Sequence, residues 1–361
     1  MVELTPPPAG FTLLHPVGAC PASPLDPEPL RRQLEIMGGL DRPTVFVYAL
    51  GRWQHTRRII EALPDIRFLI GDCFPLELVD GPRVAWFLYP FHQLPQAQAA
   101  ARAGARIVAS GRGEYWHPMD RAAEHYAEVA ADCDELYKLA DTITPLTWSF
   151  ARNLMERIPE VAATRFKTIP NGIEPSSNPE PAILPNRVKK AGPVVLTLTN
   201  TNYQHKRRGI DEAAAILAPL PCTYLVAGLP GPYAPQVGWF YPGAYYLGLA
   251  EEPRATLAAA DIYFHLSYQD TQSMALTEAM AEGLAPVVCV TATSGAHELI
   301  RDGATGLVVS GPKEAAAAVS HLIDHPEERQ RLGEAARRYA KTALSWPTVA
   351  QRHRQVFEEL F

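Results

Sequence analysis

Three adjacent cations, Lys206, Arg207 and Arg208, stand in the polar stretch NTNYQHKRRGID that follows the apolar run PVVLTLT. Cations grouped beyond the carboxyl end of a strand can clamp a diphosphate and stabilise the charge that grows on it as it leaves. The same cluster also reads as a solvated basic turn. A second group lies in DIYFHLSYQDTQSMALTEAMAEGLAPVVCV, residues 261–290: Asp270 in a polar loop, then Ser273, Met274 and Glu278 at the start of a helix that Gly283 can end. A helix start presents unpaired amides and the positive end of its dipole, an arrangement that binds anions. An outward Glu278 carboxylate can accept from a ribose diol, and the spacing from Asp270 places both acids on one crevice. The plainer account is that Ser273 caps the helix and Glu278 complements its dipole.

Two weaker signals lie in the first half. SGRGEYWHP, residues 110–118, follows an apolar run, and its two glycines permit close backbone approach to a ligand beside Arg112. Alternatively it is a plain turn. His92, after FLYPF, either lines the crevice from the opposite side or is structural. The chain holds no HExxH, no CxxC pair, no GxxxxGK[ST] and no GxSxG, so dedicated metal sites and the common hydrolase signatures lack support. GxGxxG is missing after the early apolar runs, which disfavours a nicotinamide enzyme.

Parallel sheets are the elements that can hold such groups. The runs TVFVYAL, RFLIGD, RVAWFLY, RIVAS and DTITPL alternate with helical stretches at 54–62, 93–103, 121–140 and 148–157. After the Pro-rich linker NPEPAILPNRVKKAGP a second series begins: PVVLTLT, CTYLVAG, YYLG, DIYFHLS, APVVCV and TGLVVS, with helices at 209–217, 253–259, 273–282, 296–301 and 313–323. This order predicts an α/β chain of two Rossmann-like domains. Ligands of open parallel sheets sit outside the carboxyl ends of the strands, so the loop 267–273 should face the crevice. Ser345, Trp346 and Pro347 open a last helix whose apolar face is Trp346, Val349, Val356, Phe357 and Leu360.

At 361 residues, 47% of them hydrophobic, the chain can fill two cores. A formal net charge of −6 gives no field that would draw nucleic acid or an anionic membrane. Five single cysteines suit a reducing compartment, and the start MVELTPPPAG lacks a signal-peptide pattern. The expectation is a cytoplasmic protein, at most peripherally attached to a membrane.

The run AAADIYFHLSYQDTQSMALTEAMAEGLAPVV resembles the donor motif of the GT-B-fold retaining glycosyltransferases of the family 4 type (glycosyl transferases group 1): a strand, then Glu, seven residues, and Glu-Ala-Met-Ala-x-Gly-x-Pro-Val-Val. The similarity continues through SGAHELIRDGATGLVV. It is supported upstream by KTIPNGIEP and downstream by LSWPTVAQRHRQVF. It implies a GT-B fold, with residues 1–175 and the returning helix 345–361 forming an acceptor domain and residues 176–344 a donor domain. It also implies transfer of a hexosyl group from a nucleoside diphosphate sugar, of UDP or GDP type, to a glycan, lipid-linked or small-molecule hydroxyl acceptor. Anomeric configuration is retained, and no divalent metal or other cofactor takes part. By position, Glu278 resembles the ribose-binding Glu, and Lys206–Arg208 the basic donor-phosphate pair, with Lys206 and Arg208 acting on the leaving group. Arg207, Gln272, Ser273, Met274 and Glu298 complete the donor side, Asp270 takes the place of the first Glu, and Arg112 and His92 face them from the other domain. Three departures stand out: Asp270 is one methylene short, Thr271-Gln272-Ser273 replaces Gly-Phe-Gly, and Leu266 replaces the Pro before Ser267. They motivate the alternatives of a catalytically inactive binding or scaffold subunit, or a GT-B-fold epimerase or phosphorylase.

Overall fold

Strands covered by helices on both faces need no polar alternation, and the first strands of the two series, β1 (Thr44–Tyr48) and β6 (Val194–Leu198), are buried along their whole length. The computed structural model describes residues 31, 32, 35, 39–48, 53–71, 74, 76, 79–88, 90–112, 124–235, 243–291 and 294–361. The first sheet adds β2 (Arg67–Gly71), β3 (Arg83–Phe87), β4 (Arg106–Ala109) and β5 (Thr142–Ile143) in the order β2-β1-β3-β4-β5. The second adds β7 (Thr223–Ala227), β8 (Ala244–Gly248), β9 (Ile262–His265), β10 (Ala285–Cys289) and β11 (Leu307–Val309) in the order β11-β10-β9-β6-β7-β8. Every pairing between these strands is parallel.

The connecting helices are α1 (Trp53–Glu61), α2 (Leu94–Arg102), α3 (Glu124–Leu139), α4 (Trp148–Arg157), α5 (Gln204–Leu217), α6 (Pro253–Ala258), α7 (Met274–Glu282), α8 (Pro312–Asp324), α9 (Pro326–Ala343) and α10 (Trp346–Glu358). Each sheet has a core on both faces. Phe46 and Tyr48 face one side of the first sheet with Leu136 and Phe150, while Val45 and Val47 face the other with Trp346, Val349 and Phe357. The last helix therefore packs on the first sheet. Ser345 caps it by accepting from the Thr348 amide, with Pro347 in the first turn.

Two crossings join the domains, and they run side by side: the Ile173 amide donates to the Leu344 carbonyl at 2.7 Å. Gly172 lies flat on the Trp346 indole, where a Cβ would come within 2.4 Å of the ring.

One boundary differs from the sequence reading in a way that matters. The helix expected to begin at Gly209 begins at Gln204, so Lys206–Arg208 lie in its first turns rather than in the loop before it. Gly209 is not a start signal. It lets α5 press against the end of β9, where a Cβ would stand 2.2 Å from the Leu266 carbonyl oxygen. The helix expected over 296–301 is a short 3-10 turn, Ala296–Leu299. Cys133, Cys222 and Cys289 are buried free thiols, while Cys20, Cys73 and the segment 113–118 lie outside the described residues.

Candidate functional site

From β6 the second sheet grows outward through β7 and β8. The chain then returns to β6's other side and grows through β9, β10 and β11. The reversal between β6 and β9 opens a crevice at the carboxyl ends of these two strands, where such sheets bind ligands. The loop after β6 leads into α5, and the loop after β9 leads into α7. Lys206, in the first turn of α5, and Asp270, in the loop before α7, come from these two crossovers.

Lys206 Nζ donates to Asp270 Oδ2 at 2.9 Å and to Ser267 Oγ at 3.2 Å. Both charged side chains are about nine-tenths buried. His265, the last residue of β9, places Nε2 3.7 Å from the same Asp270 oxygen. Burial holds His265 down to about 4, with Asp270 opposing and Lys206 adding, so the ring is neutral at pH 7. Ser267 Oγ also donates to the Gln269 carbonyl at 3.1 Å, which fixes the turn between the strand and Asp270.

The start of α7 closes this side. Ser273 Oγ accepts from the Leu276 amide at 3.2 Å, taking one of the donors that a helix start leaves open, and Gly283 ends the helix with φ 86. Glu278 is half-buried on this helix. Burial pushes its pKa up, against the pull of Arg254 and with a push from Glu282. Asp270 and Glu278 both act electrostatically on the Tyr263 hydroxyl, which donates to the Leu198 carbonyl at 3.1 Å. The two acids therefore border the same region.

The three neighbouring cations part company because a helix turns them in different directions. Arg207 pairs with Asp211 at 2.8 Å and donates to the Ala234 carbonyl at 3.2 Å, bracing the loop after β7. Arg208 pairs with Glu212 at 2.9 Å and stacks over Tyr268 at 4.2 Å. Lys206 is the member of the cluster that meets Asp270.

Gln272 and Glu298 reach the other domain. Gln272 Oε1 accepts from the Asn171 amide at 2.6 Å, and Nε2 donates to the Asn171 carbonyl at 3.2 Å. Asn171 Oδ1 in turn accepts from Arg112, just beyond β4, so Arg112 is tied through the crossing to the Asp270 loop. Glu298 accepts from the amides of Trp148 and Ser149 at the start of α4, at 2.7 and 2.6 Å. Met274 begins α7, half-buried. His92 follows β3 in an exposed turn with φ 56, a backbone state uncommon for a residue with a Cβ.

Sequence reasoning missed His265 and Asn171, and gave Ser267 only as the start of the loop expected to face the crevice. The signal for His265 was present: a His closing an otherwise apolar strand must be buried beside whatever that strand's end presents. Asn171 carried no such signal, since its partner lies in another element far along the chain. Among the described residues no group of three or more His, Cys, Asp or Glu side chains is arranged to hold a metal ion, and no helix is long and apolar enough to cross a membrane.

Comparison with known proteins places this site in context. Residues 245–339 match the family model "Glycosyl transferases group 1". An uncharacterized glycosyltransferase of Methanocaldococcus jannaschii is 30% identical over 123 residues, 33% of this chain and 31% of that protein. A D-inositol 3-phosphate glycosyltransferase of Thermomonospora curvata is 34% identical over 101 residues, 27% of this chain and 23% of that protein. The matched stretch thus spans about a quarter to a third of these relatives. The Anabaena protein HepE, solved in complex with UDP, superposes with a TM-score of 0.64 at 15% identity, covering 88% of this chain and all of that one (100%). That likeness is one of fold: two doubly wound parallel sheets, the GT-B arrangement.

Proposed function

We propose that the chain is a glycosyltransferase that moves a hexosyl group from a nucleoside diphosphate sugar, of UDP or GDP type, to a hydroxyl acceptor with retention of anomeric configuration and without a divalent metal. The observation that carries this reading is the buried Lys206–Asp270 pair at the β6/β9 reversal, beside the capped start of α7. Asp270 and α7 lie inside the matched segment, and Lys206 reaches them from α5 outside it. HepE's binding of UDP and the glycosyltransferase relatives support the same reading.

In this mechanism Lys206 and the first amides of α7 hold the diphosphate, so the charge that develops on it as the glycosidic bond breaks meets donors already in place. Glu278 accepts from the ribose hydroxyls. Asp270, oriented by Lys206, faces the sugar on the side where positive charge builds. The departing phosphate oxygen takes the acceptor proton, and the acceptor oxygen enters on the same face, which retains configuration. A glycan, a lipid-linked saccharide or a small alcohol fits this chemistry as acceptor.

The test is incubation of the purified protein with UDP- and GDP-hexoses and a panel of acceptors in excess chelator, with the product's anomeric configuration read by proton NMR. The expected product keeps the donor's configuration. Inversion sinks the retaining mechanism, and loss of activity in chelator sinks the metal-independent one. Nucleotide binding without transfer to any acceptor favours a binding subunit, in which the Asp270 and Gln272 departures have removed catalysis.

A further inference from the structure

We infer that Glu298 is a positioning residue that sets how the two domains face one another, by supplying from the donor domain the anionic cap that a helix of the other domain lacks. The inference rests on the glycosyltransferase reading for its kinetic consequence, but not for its structural one.

Helix α4 begins at the carboxyl end of the first sheet with Thr147 as N-cap, whose hydroxyl accepts from the Phe150 amide. That leaves the amides of Trp148 and Ser149, and no acidic residue stands in the helix's own first turn to meet them or the dipole. Glu298, on the turn after β10, fills the gap. Oε2 accepts from the Trp148 amide, while Oε1 accepts from both the Ser149 amide and the Ser149 hydroxyl. Both carboxylate oxygens are therefore engaged across the domain boundary.

The contact is also tight. Gly295, at the start of the same turn, leaves no room for a side chain: a Cβ there would stand 2.3 Å from Thr147 Oγ1 and 2.8 Å from the Thr271 carbonyl. The Gly295 amide donates to the Asp270 carbonyl at 2.9 Å, so the turn that grips α4 also rests on the backbone of Asp270. One short segment, 294–298, thus touches both the other domain and the backbone of Asp270. The donor-side role that the resemblance implies for Glu298 would instead require this carboxylate to turn to the donor.

Two variants test the assignment. Glu298→Gln keeps the size of the side chain but turns one acceptor into a donor facing an N–H or O–H group. Gly295→Ala drives a wedge between the domains and leaves Glu298 intact, which keeps the test decisive should the first variant fail to fold. Solution X-ray scattering without ligand should show a larger radius of gyration for both variants than for the wild type. The Kd for UDP or GDP, whichever the wild type binds, should stay within about threefold, because the diphosphate site lies within one domain. The kcat should fall about tenfold or more, the scale expected when reacting groups are held apart. An unchanged radius of gyration in both variants overturns the inference. So does a Glu298→Gln variant of unchanged dimensions whose Kd rises about tenfold, the mark of a donor ligand. If the wild type binds neither nucleotide, the glycosyltransferase reading has failed while the scattering comparison still decides the role of Glu298.

Discussion

Lys206 and Asp270 have left water together, so each depends on the other. Removing one partner of a buried pair strands the second charge, at a cost of about 3–5 kcal/mol, whereas replacing both with apolar groups is often neutral. Lys206→Met and Asp270→Leu should each lower unfolding free energy in urea by that amount, and the double variant should recover most of the loss. Additive losses would mean the two groups do not interact. The histidines give a second prediction. Burial holds His265 down to about 4 and, with help from Arg112, His353 down to about 3. Unfolded, both have ordinary pKa values near 6.5. Between 6.5 and these folded values the unfolded chain binds more protons, so stability is fully present above pH 6.5 and is lost as pH falls. The slope approaches about 1.4 kcal/mol per pH unit for each ring. The raised Glu278 works the other way, gaining stability as pH falls through the window just above 4.5. Unfolding midpoints between pH 7.5 and 5 should therefore drop, and His353→Leu should flatten the drop. An unchanged slope in that variant would place the acid sensitivity elsewhere.

At the scale of the element, α5 shows why a glycine in mid-helix can outweigh propensity. Alanine there would favour the isolated helix by about 1 kcal/mol. In the protein its Cβ would meet the Leu266 carbonyl at 2.2 Å. Gly209→Ala should therefore destabilise by about 1–3 kcal/mol, as overpacking does. It should also move Lys206 away from Asp270 and weaken nucleotide binding. A stabilised variant that binds normally would contradict this view of α5. The same glycine explains what the sequence hid. Tyr203 holds the N-cap position without a side-chain capping bond and Gly209 has the look of a boundary, so the sequence places the helix start late and the three cations in a loop. The start of α7 was legible because Ser273 and Gly283 are the residues that cap helices, and the fully apolar runs announced parallel strands.

In the whole molecule, the two sheets and the returning α10 could be expected from the order of runs and from Ser345-Trp346-Pro347. The contacts that join the domains could not. Gln272 with Asn171, and Glu298 with α4, pair residues from distant parts of the chain through backbone groups that every residue carries, so no residue type advertises them. The identity of Lys206 as the cation that faces Asp270 was hidden for a related reason: it depends on helix phase, which shifts with every residue of error in the start. The central claim is that these pieces assemble a nucleoside diphosphate site. Titration calorimetry of the wild type and of Lys206→Met with UDP and GDP, each in excess chelator, tests it most directly. The account predicts that one nucleotide binds the wild type with the metal removed and binds the variant at least about tenfold more weakly. Absence of binding to the wild type, or equal binding to both proteins, would contradict it.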